Sequence, residues 1–144
     1  MFADDTTLLL SSKSLSLLQT TINSELLKVS EWLKANQLSL NVEKTNYMIF
    51  KKKTANSIHI HIDKVAINRV SSNKFLGVLI DEELNWKEHI ASVATKIGRI
   101  IGILFRIRYK ISYKTTMLLY NSLILSQINY CNIIWASNYI NISK

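Results

Sequence analysis

The chain has 144 residues, of which 48% are hydrophobic and 19% are charged, and its formal net charge is +8. This composition excludes a disordered chain and allows one folded domain or two small ones. The single cysteine, Cys131, excludes an intrachain disulfide, and Asp4 and Asp5 occupy the place of the basic region in a secretory signal. We therefore expect an intracellular protein of the nucleus or cytoplasm, not a secreted one.

The charge is distributed unevenly along the chain. Residues 1–50 carry four lysines and five acids, whereas residues 51–144 carry fourteen lysines and arginines and five acids, the last of which is Glu88. This imbalance indicates a polyanionic partner for the second half, most simply a nucleic acid. A solubilising surface charge accounts for the composition equally well.

The chain begins with an acidic pair and a helical pattern. Residues 1–3 and 6–10 flank Asp4-Asp5 and predict a tight hairpin, because Asp tolerates the backbone conformations of turns. Apolar residues at spacings of three and four predict an amphipathic helix over residues 15–35. The outer face of this helix is predicted to hold Lys13, Gln19, Asn23, Lys28 and Glu31.

Strands are predicted at residues 47–50, 57–63, 65–67 and 74–81. Residues 57–63 alternate strictly, which places the isoleucines on one face and His59 and His61 on the other. Two histidines on one face could ligate a metal. With no Cys or third His close in sequence, we expect them to face solvent.

The second half contains helical patterns alone, at residues 86–109, 113–128 and 130–135. Gly98 and Gly102 lie one helical turn apart, and we expect them to permit close packing against a neighbouring helix. Hairpin, helix and strands are thus followed by helices, an order that predicts an α+β protein divided into residues 1–83 and 84–144.

Four motifs follow one another in a specific order: FADDT, LSLNVEKTNYM, KFLGVLID and WKEHI. An Asp-Asp pair in a turn is most often part of a solvated loop, so the first motif alone is a weak signal. Together the four resemble the second half of the reverse transcriptase domain of non-LTR (LINE-type) retrotransposons, most of all the jockey-type insect elements. The resemblance covers nearly the whole chain. It implies a partial polymerase palm, with antiparallel strands and an amphipathic helix, over 1–83, and an all-helical thumb over 84–144.

The resemblance implies catalytic roles for three residues. Asp4 corresponds to a direct ligand of the catalytic Mg²⁺ (or Mn²⁺), and Asp5 to its neighbour with a supporting role. Adjacent carboxylates suit a hard cation that also binds substrate phosphates. Lys44 matches the lysine that protonates the pyrophosphate leaving group, a role that an ammonium group can fill. A solvated loop lysine is the alternative for Lys44.

The resemblance also implies residues that bind nucleotide and primer. Phe2 takes the aromatic position near the incoming nucleotide and the primer end. Phe75, Leu76 and Gly77 match the primer grip, where a glycine allows the backbone to approach the primer. A core strand is the alternative for these three, and their apolar side chains can serve both purposes.

The polymerases of this family need further parts: fingers that bind template and dNTP, and an Asp on a strand upstream of the acidic hairpin. Neither fits before Met1. We therefore expect a fragment of an RNA-directed DNA polymerase, inactive alone, with the missing N-terminal part of the polymerase as packing partner. In the intact enzyme the partners are an RNA template, a DNA primer and a dNTP.

Basic residues follow one face of the helical pattern in the second half. If residues 86–110 form one helix, Lys96, Arg99, Arg106 and Lys110 fall within an arc of about 80°. The opposite face is predicted to bury Val93, Ile97, Ile101 and Leu104. Four cations without nearby acids suit the phosphates of a duplex. A solvated helix face is the alternative.

Two further functions compete with the polymerase fragment. The first is a non-catalytic nucleic-acid-binding module that uses the basic helix. The second is a membrane-associated helical protein, because residues 115–143 carry no charge. Asn and Gln side chains are scattered through that segment, so we expect no membrane span. Thumb helices packed against the rest of the polymerase explain it better.

Overall fold

The computed structural model describes residues 6–50 and 58–136 and consists of helices and short strands, in agreement with the predicted α+β class. The chain divides into two compact units, Met1–Leu76 and Gly77–Lys144. Compactness alone identifies neither palm nor thumb, so the predicted division at 83/84 stays a prediction.

Among its described residues, 6–50 and 58–76, the first unit contains one long helix and five short strands. The helix α1 runs from Leu15 to Ala35, as the apolar spacing predicted. The strands are β1 (Asn46–Tyr47), β2 (His61–Ile62), β3 (Val65–Ala66), β4 (Asn68–Arg69) and β5 (Ser72–Phe75). β2 and β3 pair antiparallel, with His61 opposite Ala66. β1 and β4 pair parallel, with Asn46 opposite Asn68, which differs from the antiparallel strands predicted for the palm.

Isoleucines form the core of the first unit. Their buried side chains pack against the apolar face of α1 and are Ile49, Ile58, Ile60, Ile62 and Ile67. The alternation predicted over 57–63 is confirmed where that segment is described, because His59 and His61 are exposed. Burial of branched aliphatic side chains on one face therefore fixes the register of this strand against the helix.

Two polar side chains of α1 bind the backbone of the isoleucine segment. Gln19 Oε1 accepts a hydrogen bond from the backbone N–H of His59 at 3.2 Å. Asn23 Oδ1 accepts from the N–H of His61 at 3.1 Å, and its Nδ2 donates to the carbonyl of His59 at 3.2 Å. The prediction that Gln19 and Asn23 face outward is wrong. Their amides satisfy a strand edge that would otherwise leave backbone groups unpaired.

The turn between β2 and β3 is tied to the end of α1. Asp63 and Lys64 both have positive φ, 47° and 69°, as a type I′ turn requires. Asp63 Oδ1 accepts hydrogen bonds from Lys34 Nζ and Ser30 Oγ, each at 2.7 Å. These two bonds, that of Lys34 first, hold the pKa of Asp63 below its usual 3.8. The stability they contribute is lost only as the pH falls through this lowered pKa.

Two predicted extended segments differ from the structure. Residues 6–10 form no strand and are exposed, so the second arm of the predicted hairpin is absent; the first arm lies outside the described residues. The predicted strand at 74–81 is interrupted, because Leu76 and Gly77 have φ of 46° and 85°. β5 ends before these two residues, and β6 (Val78–Asp81) begins after them. A Leu-Gly pair in an apolar run is a weak turn signal, which explains the error.

The second unit contains β6 and a series of helices. The helix α2 covers Lys87–Ile107, within the predicted span of 86–109. The segments that follow are α3 (Tyr113–Leu119), a π-helical segment (Tyr120–Leu125), α4 (Ser126–Asn129) and α5 (Asn132–Trp135). No helix among the described residues is long and apolar enough to cross a membrane.

The apolar face of α2 is only partly covered. Val93 is buried as predicted, but Ile101 is 51% exposed, contrary to the prediction that it enters the core. A Cβ built on Gly98 or Gly102 would meet nothing within 4 Å among the described residues, so the close packing predicted for this glycine pair is wrong. The pair instead leaves a shallow open surface on the helix.

The loop between β6 and α2 is organised by one carboxylate. Asp81 is 8% exposed, and its Oδ1 accepts from the backbone N–H groups of Glu83 and Asn85 at 3.1 Å. Its Oδ2 accepts from the N–H of Trp86 at 2.9 Å. Leu84 and Trp86 have positive φ of 54° and 62°, which costs energy in residues with a Cβ. The three bonds to Asp81 offset that cost and fix the start of α2.

His89, in the first turn of α2, is buried. Its Nδ1 accepts a hydrogen bond from the N–H of Leu79 at 3.3 Å, and its ring packs edge-on against Trp135 with centroids 5.5 Å apart. Burial, and to a lesser degree the positive charge of Lys96, lowers the pKa of this imidazole below 6.5. The neutral ring is therefore the form that fits the fold.

We expect Asp81→Ala to destabilise the protein by about 2–4 kcal/mol, because three backbone N–H groups lose a charged acceptor. Asp81→Asn should be intermediate, since its amide nitrogen cannot accept from Trp86. Thermal unfolding followed by circular dichroism measures both. Glu88→Gln, which changes an exposed carboxylate at the start of α2, is the control. An Asp81→Ala midpoint equal to that of the control would contradict this account.

We also expect stability to decrease as the pH falls below about 6.5, because the unfolded chain then binds a proton at His89 that the fold resists. Urea unfolding between pH 5 and 7.5 measures the dependence. His89→Asn can still accept from Leu79 and should flatten the curve, whereas His61→Asn, a change of an exposed histidine, should leave it intact. Identical curves for His89→Asn and the unsubstituted protein would refute the assignment.

Candidate functional site

The predicted metal ligands lie outside the described residues. This holds for Asp4 and Asp5, and for Phe2, so their roles stay predictions, whereas the strand predicted at 6–10 as one arm of their hairpin is not formed. Within 6–50 and 58–136, no group of three or more His, Cys, Asp or Glu side chains could hold a metal ion. A pair of carboxylates still has the donor chemistry that Mg²⁺ prefers, with phosphate oxygens completing its coordination.

Lys44 lies in an ordered turn between α1 and β1. Its backbone N–H donates to both the carbonyl and the side-chain oxygen of Asn41, each at 3.2 Å. Thr45 Oγ1 donates to the same carbonyl at 2.9 Å. The Asn-x-x-Lys-Thr motif is thus a hydrogen-bonded turn in which Asn41 is the organising residue. It presents the Lys44 side chain, which is exposed, to solvent.

The primer-grip residues form the connection between β5 and β6. Phe75 and Leu76 are 44% and 47% exposed, which argues against a core strand at these two positions. Gly77 has a φ of 85°, and a Cβ there would lie 3.3 Å from the ring of Tyr130. The positive φ of the turn and the closeness of the Tyr130 ring are sufficient to explain why a glycine occupies this position. Its predicted contact with a primer stays a prediction.

Three of the four predicted basic residues share α2. Lys96, Arg99 and Arg106 are exposed, and among the described residues none has a carboxylate within ion-pair distance. We call these three residues the cation stripe. The fourth, Lys110, is not on the helix, because α2 ends at Ile107 and the N–H of Lys110 closes a turn onto the carbonyl of that residue at 2.8 Å. The prediction that α2 extends to Lys110 is wrong.

The end of α2 carries a stack that the sequence reasoning missed. The guanidinium of Arg108 lies 3.7 Å from the centroid of the Phe105 ring and 4.5 Å from that of Tyr109. Its Nη2 also donates to the hydroxyl of Tyr109 at 2.5 Å. The alternation of aromatic and basic residues in FRIRYK was the available signal, because such interleaving favours guanidinium–aromatic contacts.

Comparison with known proteins gives relatives of one kind. No protein-family profile and no solved structure matches the chain. It is 24% identical over 111 residues to a probable RNA-directed DNA polymerase from transposon X-element of Drosophila melanogaster, covering 75% of this chain and 12% of that protein. It is 25% identical over 133 residues to the RNA-directed DNA polymerase from mobile element jockey of the same species, covering 90% of this chain and 14% of that protein.

A third relative comes from a different retrotransposable element. The chain is 27% identical over 139 residues to a Pol polyprotein from type-1 retrotransposable element R1 of Bradysia coprophila, covering 93% of this chain and 14% of that protein. The chain therefore spans 12–14% of the length of these three relatives. The relationship suggested by the four sequence motifs is confirmed: this chain is related, at low identity, to the RNA-directed DNA polymerases of non-LTR retrotransposons.

Proposed function

We propose that this chain is part of a retrotransposon RNA-directed DNA polymerase and binds the duplex of RNA template and DNA primer. The observation that carries the proposal is the cation stripe: Lys96, Arg99 and Arg106 are exposed along α2, with no carboxylate paired to them among the described residues. Unpaired cations in a row favour a polyanion over an acidic patch of the protein itself.

The length of the stripe suits a nucleic-acid backbone. Ten residues separate Lys96 from Arg106, which corresponds to about 15 Å along the helix axis. That distance matches about four nucleotides of one strand at about 3.4 Å each. Contacts to phosphates carry no sequence information, and a polymerase needs this property because it must move along its substrate. An RNA–DNA duplex would be recognised by its shape and backbone.

The residues implied by the sequence motifs complete the proposal. In a palm formed by residues 1–83, Asp4 and Asp5 would hold Mg²⁺, which supplies charge neutralisation at the substrate phosphates. The ammonium of Lys44 would stabilise or protonate the departing pyrophosphate. Phe2 would contact the nucleotide, and Phe75–Gly77 the primer. Residues 84–144, a thumb in this proposal, would hold the duplex.

A non-catalytic nucleic-acid-binding module is the second candidate. It is favoured by the fact that the cation stripe requires no metal and does not include the acidic pair. The two candidates differ in one property. A polymerase fragment should bind Mg²⁺ or Mn²⁺ through Asp4, whereas a simple binding module should bind duplex equally well with and without metal.

We expect Arg99→Gln/Arg106→Gln to weaken binding to an RNA–DNA duplex and to lower the salt dependence of log K by about 1 per cation removed. Fluorescence anisotropy with a labelled duplex between 50 and 200 mM salt measures both effects. The matched control is Lys13→Gln/Lys28→Gln, with Lys13 just before α1 and Lys28 on it, which removes the same charge. Equal losses in the two double variants would show that net charge, and not the stripe, governs binding.

We expect Asp4→Asn to weaken Mn²⁺ binding by at least about tenfold, because a carboxylate ligand of the cation is replaced by a neutral amide. Electron paramagnetic resonance of free Mn²⁺ measures the affinity directly, without requiring polymerase activity. Glu43→Gln is the control, since it removes an exposed carboxylate near Lys44 and should leave the affinity intact. Unchanged Mn²⁺ affinity in Asp4→Asn would favour the metal-independent binding module.

A further inference from the structure

The connection between α2 and α3 exposes two tyrosines. Tyr109 is 84% exposed and Tyr113 is 80% exposed. Aromatic rings contribute most when buried, so two rings left in solvent on one short connection require an explanation. They are four positions apart in the sequence, which limits the distance between their Cα atoms to about 14 Å. Both rings are therefore within reach of neighbouring bases of one flexible strand.

One of the two rings is held in place by its neighbours. The Arg108 guanidinium packs over the rings of Phe105 and Tyr109, and it donates a hydrogen bond to the Tyr109 hydroxyl. The start of α3 is fixed as well, because Ser112 Oγ accepts from the N–H of Thr115 at 3.2 Å and thereby caps the helix. Ordering before binding reduces the entropic cost of a later stacking contact.

Basic residues flank the tyrosines in the sequence, and acids are missing from this part of the chain. Arg108, Lys110 and Lys114 adjoin the tyrosines in the sequence and are exposed. The sequence contains no Asp or Glu after Glu88. A polyanion that also offers flat aromatic faces satisfies both features, and unpaired nucleotides have that combination. Bases inside a duplex stack on each other, and only a terminal pair leaves a face free, so unpaired nucleotides suit two tyrosines better than the duplex of the proposed function.

We propose that Arg108, Tyr109, Lys110, Tyr113 and Lys114 form a binding surface for single-stranded nucleic acid, here called the stacking surface. Two bases stack on the tyrosines, and the three cations contact the adjacent phosphates. The proposal rests on the proposed function and extends it: the cation stripe holds the duplex, and the stacking surface holds a strand where it is unpaired. RNA and DNA share this chemistry.

We expect Tyr109→Leu/Tyr113→Leu to weaken binding of a labelled 12-nucleotide single strand, RNA or DNA, by at least about fivefold per ring. Tyr109→Phe/Tyr113→Phe keeps both rings and should stay within about twofold of the unsubstituted chain. Neither pair should change the affinity for a blunt duplex. Fluorescence anisotropy of the full chain measures the affinities of both double variants for the single strand and for the duplex. Circular dichroism verifies that each variant folds. Comparison of RNA with DNA shows which strand is preferred.

A second measurement does not depend on the variants. Ultraviolet cross-linking of the unsubstituted chain to a strand containing 5-iodouracil, read by mass spectrometry, should mark Tyr109 or Tyr113. Cross-links confined to other residues would overturn the proposal, as would equal single-strand affinity in the Leu and Phe pairs. Binding to phosphatidylserine vesicles without binding to either single strand would overturn it too, in favour of a membrane surface.

The two proposals fail in distinguishable ways. Loss of single-strand binding in the Leu pair, with duplex binding insensitive to Arg99→Gln/Arg106→Gln, would support the stacking surface and refute the cation stripe. A Leu pair that binds single strands normally, together with stripe variants that lose the duplex, would refute the stacking surface alone.

Discussion

The Asp81 carboxylate accepts three backbone hydrogen bonds from the loop that precedes α2, and the position of that helix depends on them. Two residues of the loop, Leu84 and Trp86, have left-handed conformations that neither side chain favours. The buried carboxylate compensates for this strain and determines where α2 begins. Every residue of the cation stripe is carried by α2, so the candidate interface depends on an acid that takes no part in binding.

Local periodicity determined how much of the fold could be predicted. The spacing of apolar residues gave α1 and α2 to within two residues at each end, because an amphipathic helix repeats its signal over several turns. The alternation of isoleucines correctly predicted which face of the strand near Ile60 is buried. The turn at Leu76-Gly77 and the inward positions of Gln19 and Asn23 depend on tertiary partners, which no local pattern reports.

In the candidate site, too, the features that follow a local pattern were predicted and those that depend on other contacts were not. The cations of α2 were visible in the sequence, because charge and helical spacing suffice to place them on one face. Lys110 was assigned wrongly, since helix ends depend on local hydrogen bonds that periodicity does not specify. The stack of Arg108 with Phe105 and Tyr109 was missed for a related reason: it forms where the helix stops and the face pattern no longer applies.

The π-helical segment Tyr120–Leu125 has an effect on the helices that adjoin it. A wide turn accommodates one residue more than an α-helical turn, so the side chains beyond it are rotated by about 100° relative to an uninterrupted helix. The face that α3 presents therefore does not continue onto α4, although the backbone runs on without a break. One extra residue in a helical turn thus acts as a phase shift between the side chains that precede it and those that follow it.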